Sequence, residues 1–288
     1  MSCHSEVTID SFYTSFLQVC KGEIHTYTFA HAEVLKGENL IFQRMRGKLF
    51  TLEGTDGSGK KNHTQRIIAK MEADGFPVKT ISFPAYGTES CKGVELYLNG
   101  TFGSAEYVGP YYESGFYVFD RAKKAPQMIE HLEAGINIVT DRYNGSNLGH
   151  QGANFETDTQ RQEFIDWALD LEFNKYKIPV PDATVFIHFP PFVGQQFIAQ
   201  KEAAQRTYLL EGKARDILED DVNHLKRAEA AYLYAAKMLG WIVVEAVKPE
   251  LRDRQDILND PLIAPEKKVR TLDEINVEIY DHVLNALR

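Results

Sequence analysis

The sequence predicts an α/β protein: a five-stranded parallel sheet flanked by helices. Two observations carry this. From Lys48 onward, short β-branched or apolar runs alternate with longer amphipathic ones, the pattern of stacked βα units around a sheet buried on both faces. The first of those strands runs into a glycine-rich turn, Gly54-Thr55-Asp56-Gly57-Ser58-Gly59-Lys60, which opens a helix. Composition agrees, because 43% hydrophobic and 25% charged residues over 288 positions are ordinary globular values. They exclude disordered, collagen-like and coiled-coil chains.

Residues 1–44 stand apart. They hold Phe12, Tyr13, Phe16, Tyr27 and Phe29 without sustained period, and they lack the basic start of a signal peptide and the Arg-rich balance of a transit peptide. The run Glu38-Asn39-Leu40-Ile41-Phe42-Gln43 resembles a viral-protease recognition sequence, and Met45 follows almost at once. Two readings stay open: a leader ahead of a start at Met45, or an extension that packs on the domain. Strands are expected at 49–53, 79–83, 136–141, 183–189 and 241–247. Helices are expected near 60–74, 111–134, 158–175, 192–204, 216–239 and 272–287. These fill residues 45–288 as one domain with a lid near 196–215. Residues 248–268, with Pro249, Pro261 and Pro265, read as a surface insertion before the last helix.

The net charge of -9 argues against a sequence-independent nucleic-acid surface. The longest apolar stretches, such as Trp241-Ile242-Val243-Val244, are strand-sized, so no membrane span is expected. Cys3, Cys20 and Cys91 form no C-x-x-C pair, which points to a reducing, cytoplasmic setting and away from a structural zinc site.

Gly54 to Lys60, between strand and helix, is the context in which loop amides turn toward phosphate oxygens and a lysine reaches the β and γ phosphates. The departure is Lys61, where a strict P-loop carries a Ser or Thr that ligates Mg²⁺. Phe83-Pro84-Ala85-Tyr86-Gly87-Thr88 follows the second strand, where a ligand-facing loop belongs in an open α/β sheet. Tyr117 and Arg121 lie four apart on one helical face, able to grip a planar base or to be a buried aromatic with a surface arginine. Asp141-Arg142-Tyr143 ends the third strand. That Asp can hold Mg²⁺ and that Arg can clamp a phosphate, or the two form a structural pair.

These pieces, in order, resemble thymidylate kinase, a P-loop nucleoside-monophosphate kinase family of P-loop NTPase fold. The carriers are Leu52 to Lys60, Phe83-Pro84, Phe119-Asp120-Arg121, Asp141-Arg142-Tyr143 with Ser146, Asn147 and Gln151-Gly152, then Pro181-Asp182, Pro190-Pro191 and Asp216-Ile217-Leu218-Glu219. The resemblance implies that Gly54, Thr55, Asp56, Gly57, Ser58, Gly59, Lys60 and Lys61 bind ATP. It implies that Asp56 meets the acceptor sugar, Phe83 and Tyr117 the base region, Arg121 and Asn147 the base's polar edge, and Arg142 the acceptor phosphate. His150 and Gln151 complete the dTMP side, with Asp141 at Mg²⁺ and Glu219 between metal and acceptor. The glycine loop has no arginine, so Lys60 and Arg142 would be joined in catalysis by a lid cation, Arg206 or Arg215, with Lys213 nearby. Ala85 stands where an arginine is common, Leu218 where His or Tyr is usual, and His150 in place of a tyrosine thought to crowd a ribose 2′-hydroxyl.

The expectation is thus ATP-dependent phosphorylation of dTMP to dTDP with Mg²⁺, by a cytoplasmic homodimer without nucleic-acid or membrane partners. The rivals are another nucleoside-monophosphate or deoxynucleoside kinase, and a catalytically weak nucleotide-binding protein, which Lys61 and Ala85 suggest.

Overall fold

The structure, a computed structural model, describes residues 46–199 and 222–288, together with the backbone of residues 5–10, 13–20 and 23–29. Arg206, Lys213, Arg215, Glu219 and most of the expected lid lie outside the described residues.

Strands β1 (Ser5–Asp10), β2 (Tyr13–Cys20) and β3 (Glu23–Phe29) form an antiparallel sheet of their own, in that order. The sequence reading assigned no element there. The segments favour strands through β-branched and aromatic content, which shows in composition without a clean alternation.

The main sheet has the expected five strands: β4 (Leu49–Gly54), β5 (Val78–Ser82), β6 (Asn137–Asp141), β7 (Ala183–His188) and β8 (Ile242–Glu245). Their order is β5-β6-β4-β7-β8 and every pairing is parallel. Strand β4 lies at the centre, buried along its whole length. Its alternate residues serve two cores. Phe50 and Leu52 join Ile67, Met71, Val185 and Ile279, whereas Leu49 joins Val118, Met128 and Ile138. Glu53 has the same parity as Leu49. Side chains pin the start of β4: Asp182 Oδ2 accepts from Leu49 N at 2.8 Å and Asn137 Oδ1 from Lys48 N at 2.9 Å.

Ten helices are named here: α1 (Lys60–Ala73), α2 (Lys92–Leu98), α3 (Ala105–Val108), α4 (Pro110–Glu133), α5 (Asn144–Gly152), α6 (Asp158–Leu169), α7 (Pro191–Ala199), α8 (Val222–Leu239), α9 (Gln255–Leu258) and α10 (Leu272–Leu287). Helices α1 and α10 pack together beside the sheet, and α4, α5 and α8 pack in series. Helix α5 covers a stretch to which the sequence pattern assigns no element. Its glycines explain both its weak signal and its existence. A Cβ on Gly149 would lie 2.3 Å from the Tyr232 ring, and one on Gly145 2.7 Å from Glu53, so only glycine lets α5 approach α8 and β4 this closely.

Residues 248–268 are more than a surface insertion. Their ends meet in a Val247–Val269 bridge, and Lys268 is fully buried. Its ammonium donates to Gln196 Oε1 of α7 at 2.7 Å, Asp260 O at 2.8 Å and Leu258 O at 3.0 Å.

Candidate active site

The loop after β4 takes its shape from two left-handed glycines, Gly57 (φ 82) and Gly59 (φ 74). Helices α6 and α10 each begin with a capping box, Thr157 with Gln160 and Thr271 with Glu274. Helix α1 begins at Gly59 with no side-chain cap and no acidic residue in its first turn. Its first amides are thereby left to an anion, which the helix dipole favours. Thr55 Oγ1 ties the loop to Phe189 O at 2.8 Å. Lys60 folds into the loop, its ammonium donating to Gly54 O and Thr55 O, each at 2.9 Å. Burial, with Arg142 nearby, pushes Lys60 down to about 7.

Beside this loop opens a cavity of about 340 Å³, within the range of small-molecule sites. Asp56, Lys61, Phe83, Tyr117, Arg121, Asp141, Arg142, Asn147, His150 and Gln151 all line it. Every acceptor-side residue expected from the sequence is there apart from Glu219, which lies outside the described residues. Ser82, Pro84, Tyr86, Leu98, Tyr143 and Ser146 complete the described wall. The cavity lies at the carboxyl ends of β4, β5 and β6, where the connection from β4 skips over β6, as expected for an open α/β sheet.

Arg142 follows β6 in a left-handed conformation (φ 64), uncommon for a side-chain-bearing residue and typical of constrained sites. Its guanidinium pairs with Asp56 and donates to Ser146 Oγ at 3.1 Å. Ser146 donates to Glu53 Oε2 at 2.6 Å, and Tyr143 N to Glu53 Oε1 at 2.7 Å. Burial raises the Glu53 pKa, while these bonds and Arg142 oppose the rise. Burial alone would also raise Asp56, but Arg142, His150 and Lys60 hold it well below the usual carboxylate range. His150 Nε2 stands 3.9 Å from Asp56 Oδ2. Burial pushes His150 down to about 3, so its imidazole is neutral near pH 7.

Arg121 reaches the cavity wall from α4, but its fork is spoken for. Nε and Nη2 donate to the two oxygens of Glu172 at 2.8 and 2.7 Å, with both residues buried, and Nη1 donates to Tyr143 O at 3.3 Å. Sequence reasoning missed Glu172, which lies in a run that reads as solvated helix. It also missed the role of Asp120, whose carboxylate holds Ala85 N at 2.7 Å and Ser90 Oγ at 2.6 Å and so fixes the loop after Phe83.

A second cavity, of about 900 Å³, lies between α7, α8 and residues 252–259 and shares no wall residue with the first. His188 stands in it, bonded at 2.8 Å to both Glu229 and Glu245. No helix among the described residues is long and apolar enough to cross a membrane.

The sequence profile described as thymidylate kinase matches residues 52–210. A thymidylate kinase of Carboxydothermus hydrogenoformans is 36% identical over 153 residues, 52% of this chain and 70% of that protein. One of Mycobacterium tuberculosis is 29% identical over 203 residues, 69% of this chain and 91% of that protein. The solved thymidylate kinase of Candida albicans superposes with a TM-score of 0.56 at 18% identity, covering 84% of this chain and 94% of that one, and shows the same fold. A phosphate loop, an Asp-Arg pair at the end of β6 and a profile match through both agree: this chain belongs to the thymidylate kinase family.

Proposed function

We propose that this chain transfers the γ-phosphoryl group of ATP to dTMP, giving dTDP and ADP. The observation that carries the reading is the convergence of Asp56, Tyr117, Arg121, Asp141, Arg142, Asn147 and Gln151 on one cavity beside the uncapped start of α1.

The acceptor phosphate has a second pKa near 6, so it arrives largely ionised and needs no dedicated base. The work left to the protein is alignment of two anions and neutralisation of charge at the transferring phosphoryl. Arg142, already charged and aimed by Asp56 and Ser146, holds the acceptor phosphate. Lys60 leaves the loop carbonyls for the donor phosphates. Asp56 then accepts from the sugar 3′-hydroxyl, and Tyr117 lies under the base. Arg206 or Arg215 supplies the lid cation.

No group of three or more His, Cys, Asp or Glu side chains is arranged for a metal ion among the described residues. A single wall carboxylate, Asp141, fits Mg²⁺, which is commonly held by one or two carboxylates together with substrate phosphates. Asp141, on the cavity wall, would hold it, and when bound it would neutralise charge on the donor phosphates. Family membership also supports a homodimer in the cytoplasm.

Coupled ADP release with dTMP, dUMP, dCMP, dGMP, UMP and thymidine tests the reading. The expected order in kcat/KM is dTMP, then dUMP, which loses a methyl contact worth roughly 1–3 kcal/mol, then dCMP far behind. Faster turnover of another acceptor would reassign the substrate. ATP binding without turnover of any acceptor would leave a nucleotide-binding protein.

A further inference from the structure

Three side-chain amide atoms of residues lining the proposed acceptor cavity are buried without a hydrogen-bond partner: Oε1 of Gln151 and both Oδ1 and Nδ2 of Asn147. Both residues line the cavity, and both are at most 2% exposed. Buried polar groups are nearly always paired, so this trio is completed by what enters the cavity. The two amides differ in one respect. Asn147 has no bonded neighbour to fix which end faces a ligand, whereas Gln151 has one, since its Nε2 donates to Glu113 Oε2 at 3.3 Å.

Glu113 is 1% exposed and is not part of the cavity wall. It lies on α4 four residues before Tyr117 and eight before Arg121, so the three share one helical face. Tyr97 of α2, next to wall residue Leu98, stands beside the same carboxyl and opposes the rise that burial gives its pKa. Burial raises the Glu113 pKa, but in either protonation state the carboxyl keeps an oxygen that accepts from an amide NH₂. It therefore takes the NH₂ end of the Gln151 amide and leaves the carbonyl end for a ligand.

We infer that Glu113 is a positioning residue that sets base choice: it fixes Gln151 with its oxygen available, so the cavity favours a pyrimidine with an imide N–H over one with a ring-nitrogen lone pair. Thymine and uracil carry that N–H at N3. Cytosine has a lone pair at N3, and opposing it to Gln151 Oε1 leaves two acceptors facing each other in a buried place, the arrangement that discriminates most strongly. This inference rests on the reading of the cavity as the dTMP site and adds a residue that touches no substrate.

The test is equilibrium binding of dTMP and dCMP to the full chain by calorimetry, with dTMP turnover measured in parallel. Glu113→Ala should reduce the dTMP/dCMP affinity ratio at least tenfold, with KM for dTMP rising more than kcat falls. Glu113→Gln, whose amide oxygen can still accept from Gln151, should keep the ratio within about threefold of wild type. Gln151→Met should collapse the ratio, and adding Glu113→Ala to it should have no further effect. An unchanged ratio in Glu113→Ala, or a second equal loss in the double variant, overturns the inference. If Glu113→Ala gives no folded protein, an unchanged ratio in Gln151→Met overturns it equally. Wild-type protein that binds dTMP selectively without turning it over ends the proposed activity and supports this inference. Equal affinity for the two nucleotides overturns the inference even where dTMP is turned over.

Discussion

Gly57 and Gly194 meet backbone to backbone. A Cβ on Gly57 would lie 2.2 Å from Gly194 O, and one on Gly194 would lie 2.2 Å from Asp56 O. The phosphate loop is thus seated on α7, which leads toward the expected lid. Alanine is the better helix former by about 1 kcal/mol, so Gly194→Ala would suit α7 considered alone. Here it should cut kcat/KM at least tenfold by lifting the loop from its seat. Steady-state kinetics that stay within twofold of wild type would show that α7 yields instead.

With Lys60 on the donor phosphates, as proposed, nucleotide binding should carry a proton linkage. The lysine's pKa is pushed down to about 7 in the free site, and bound phosphates raise it again, so binding favours the protonated form. Affinity for ATP is then full below pH 7 and falls as pH rises, up to tenfold per unit, until the bound-state pKa is passed. Calorimetry at pH 8 in buffers of different ionisation heat should show uptake approaching one proton. Lys60→Met should abolish both the uptake and, by orders of magnitude, turnover. Uptake that persists in Lys60→Met would assign the proton elsewhere.

Removing Glu172 strands a charge. Arg121 and Glu172 are both at most 2% exposed and joined by two bonds, and breaking a buried pair from one side costs roughly 3–5 kcal/mol. Glu172→Ala should lower the unfolding free energy by about that much and raise KM for dTMP, because the same guanidinium lines the cavity. Chemical denaturation measures the first effect. A loss below about 1 kcal/mol would mean that water or another group replaces the carboxylate.

His188, at the end of β7, makes stability pH-dependent. Burial lowers its pKa, but the bonds to Glu229 and Glu245 outweigh that and push it up to about 9 from an ordinary 6.5. Between those values the folded state binds more protons than the unfolded one, so stability falls as pH rises. The contribution is full below pH 6.5 and gone above about pH 9, worth up to about 3 kcal/mol at about 1.4 kcal/mol per unit. The Tm difference between wild type and His188→Gln should shrink across that window. A constant difference would show that His188 does not titrate there.

The five strands were legible because runs such as Leu49 to Glu53 are buried on both faces and so read as strands without ambiguity. Asp141 and Arg142 of the cavity wall, and Lys60 beside it, were legible because an Asp-Arg pair at a strand end and a lysine closing a glycine-rich loop stand out in sequence. Their supports do not. Glu113 and Glu172 are buried acids in helical segments where an acidic residue ordinarily faces water, and nothing in spacing marks them as bonded inward. Helix α5 was hidden by its own glycines, whose helical propensity is poor and whose value lies in contact with Tyr232 and Glu53. Lys268 was hidden likewise, since a lysine in a proline-rich stretch gives no hint of three buried partners.

The order β5-β6-β4-β7-β8 places every main-sheet strand up to residue 141 on one side of β4 and every later one on the other. Among the described residues, those that wall the proposed acceptor cavity all fall within 56–151, so the described part of the chain carries a seam between α5 and α6. Two relatives recombined at residues 153–157 would exchange their acceptor walls whole while keeping the strands and helices of the opposite flank. Such a chimera has cross-seam contacts to preserve, among them Gly57 against Gly194, Ser146 against Tyr232 and Arg121 against Glu172. Turnover of dTMP and dCMP by such a chimera would show whether the proposed base choice travels with residues 56–151.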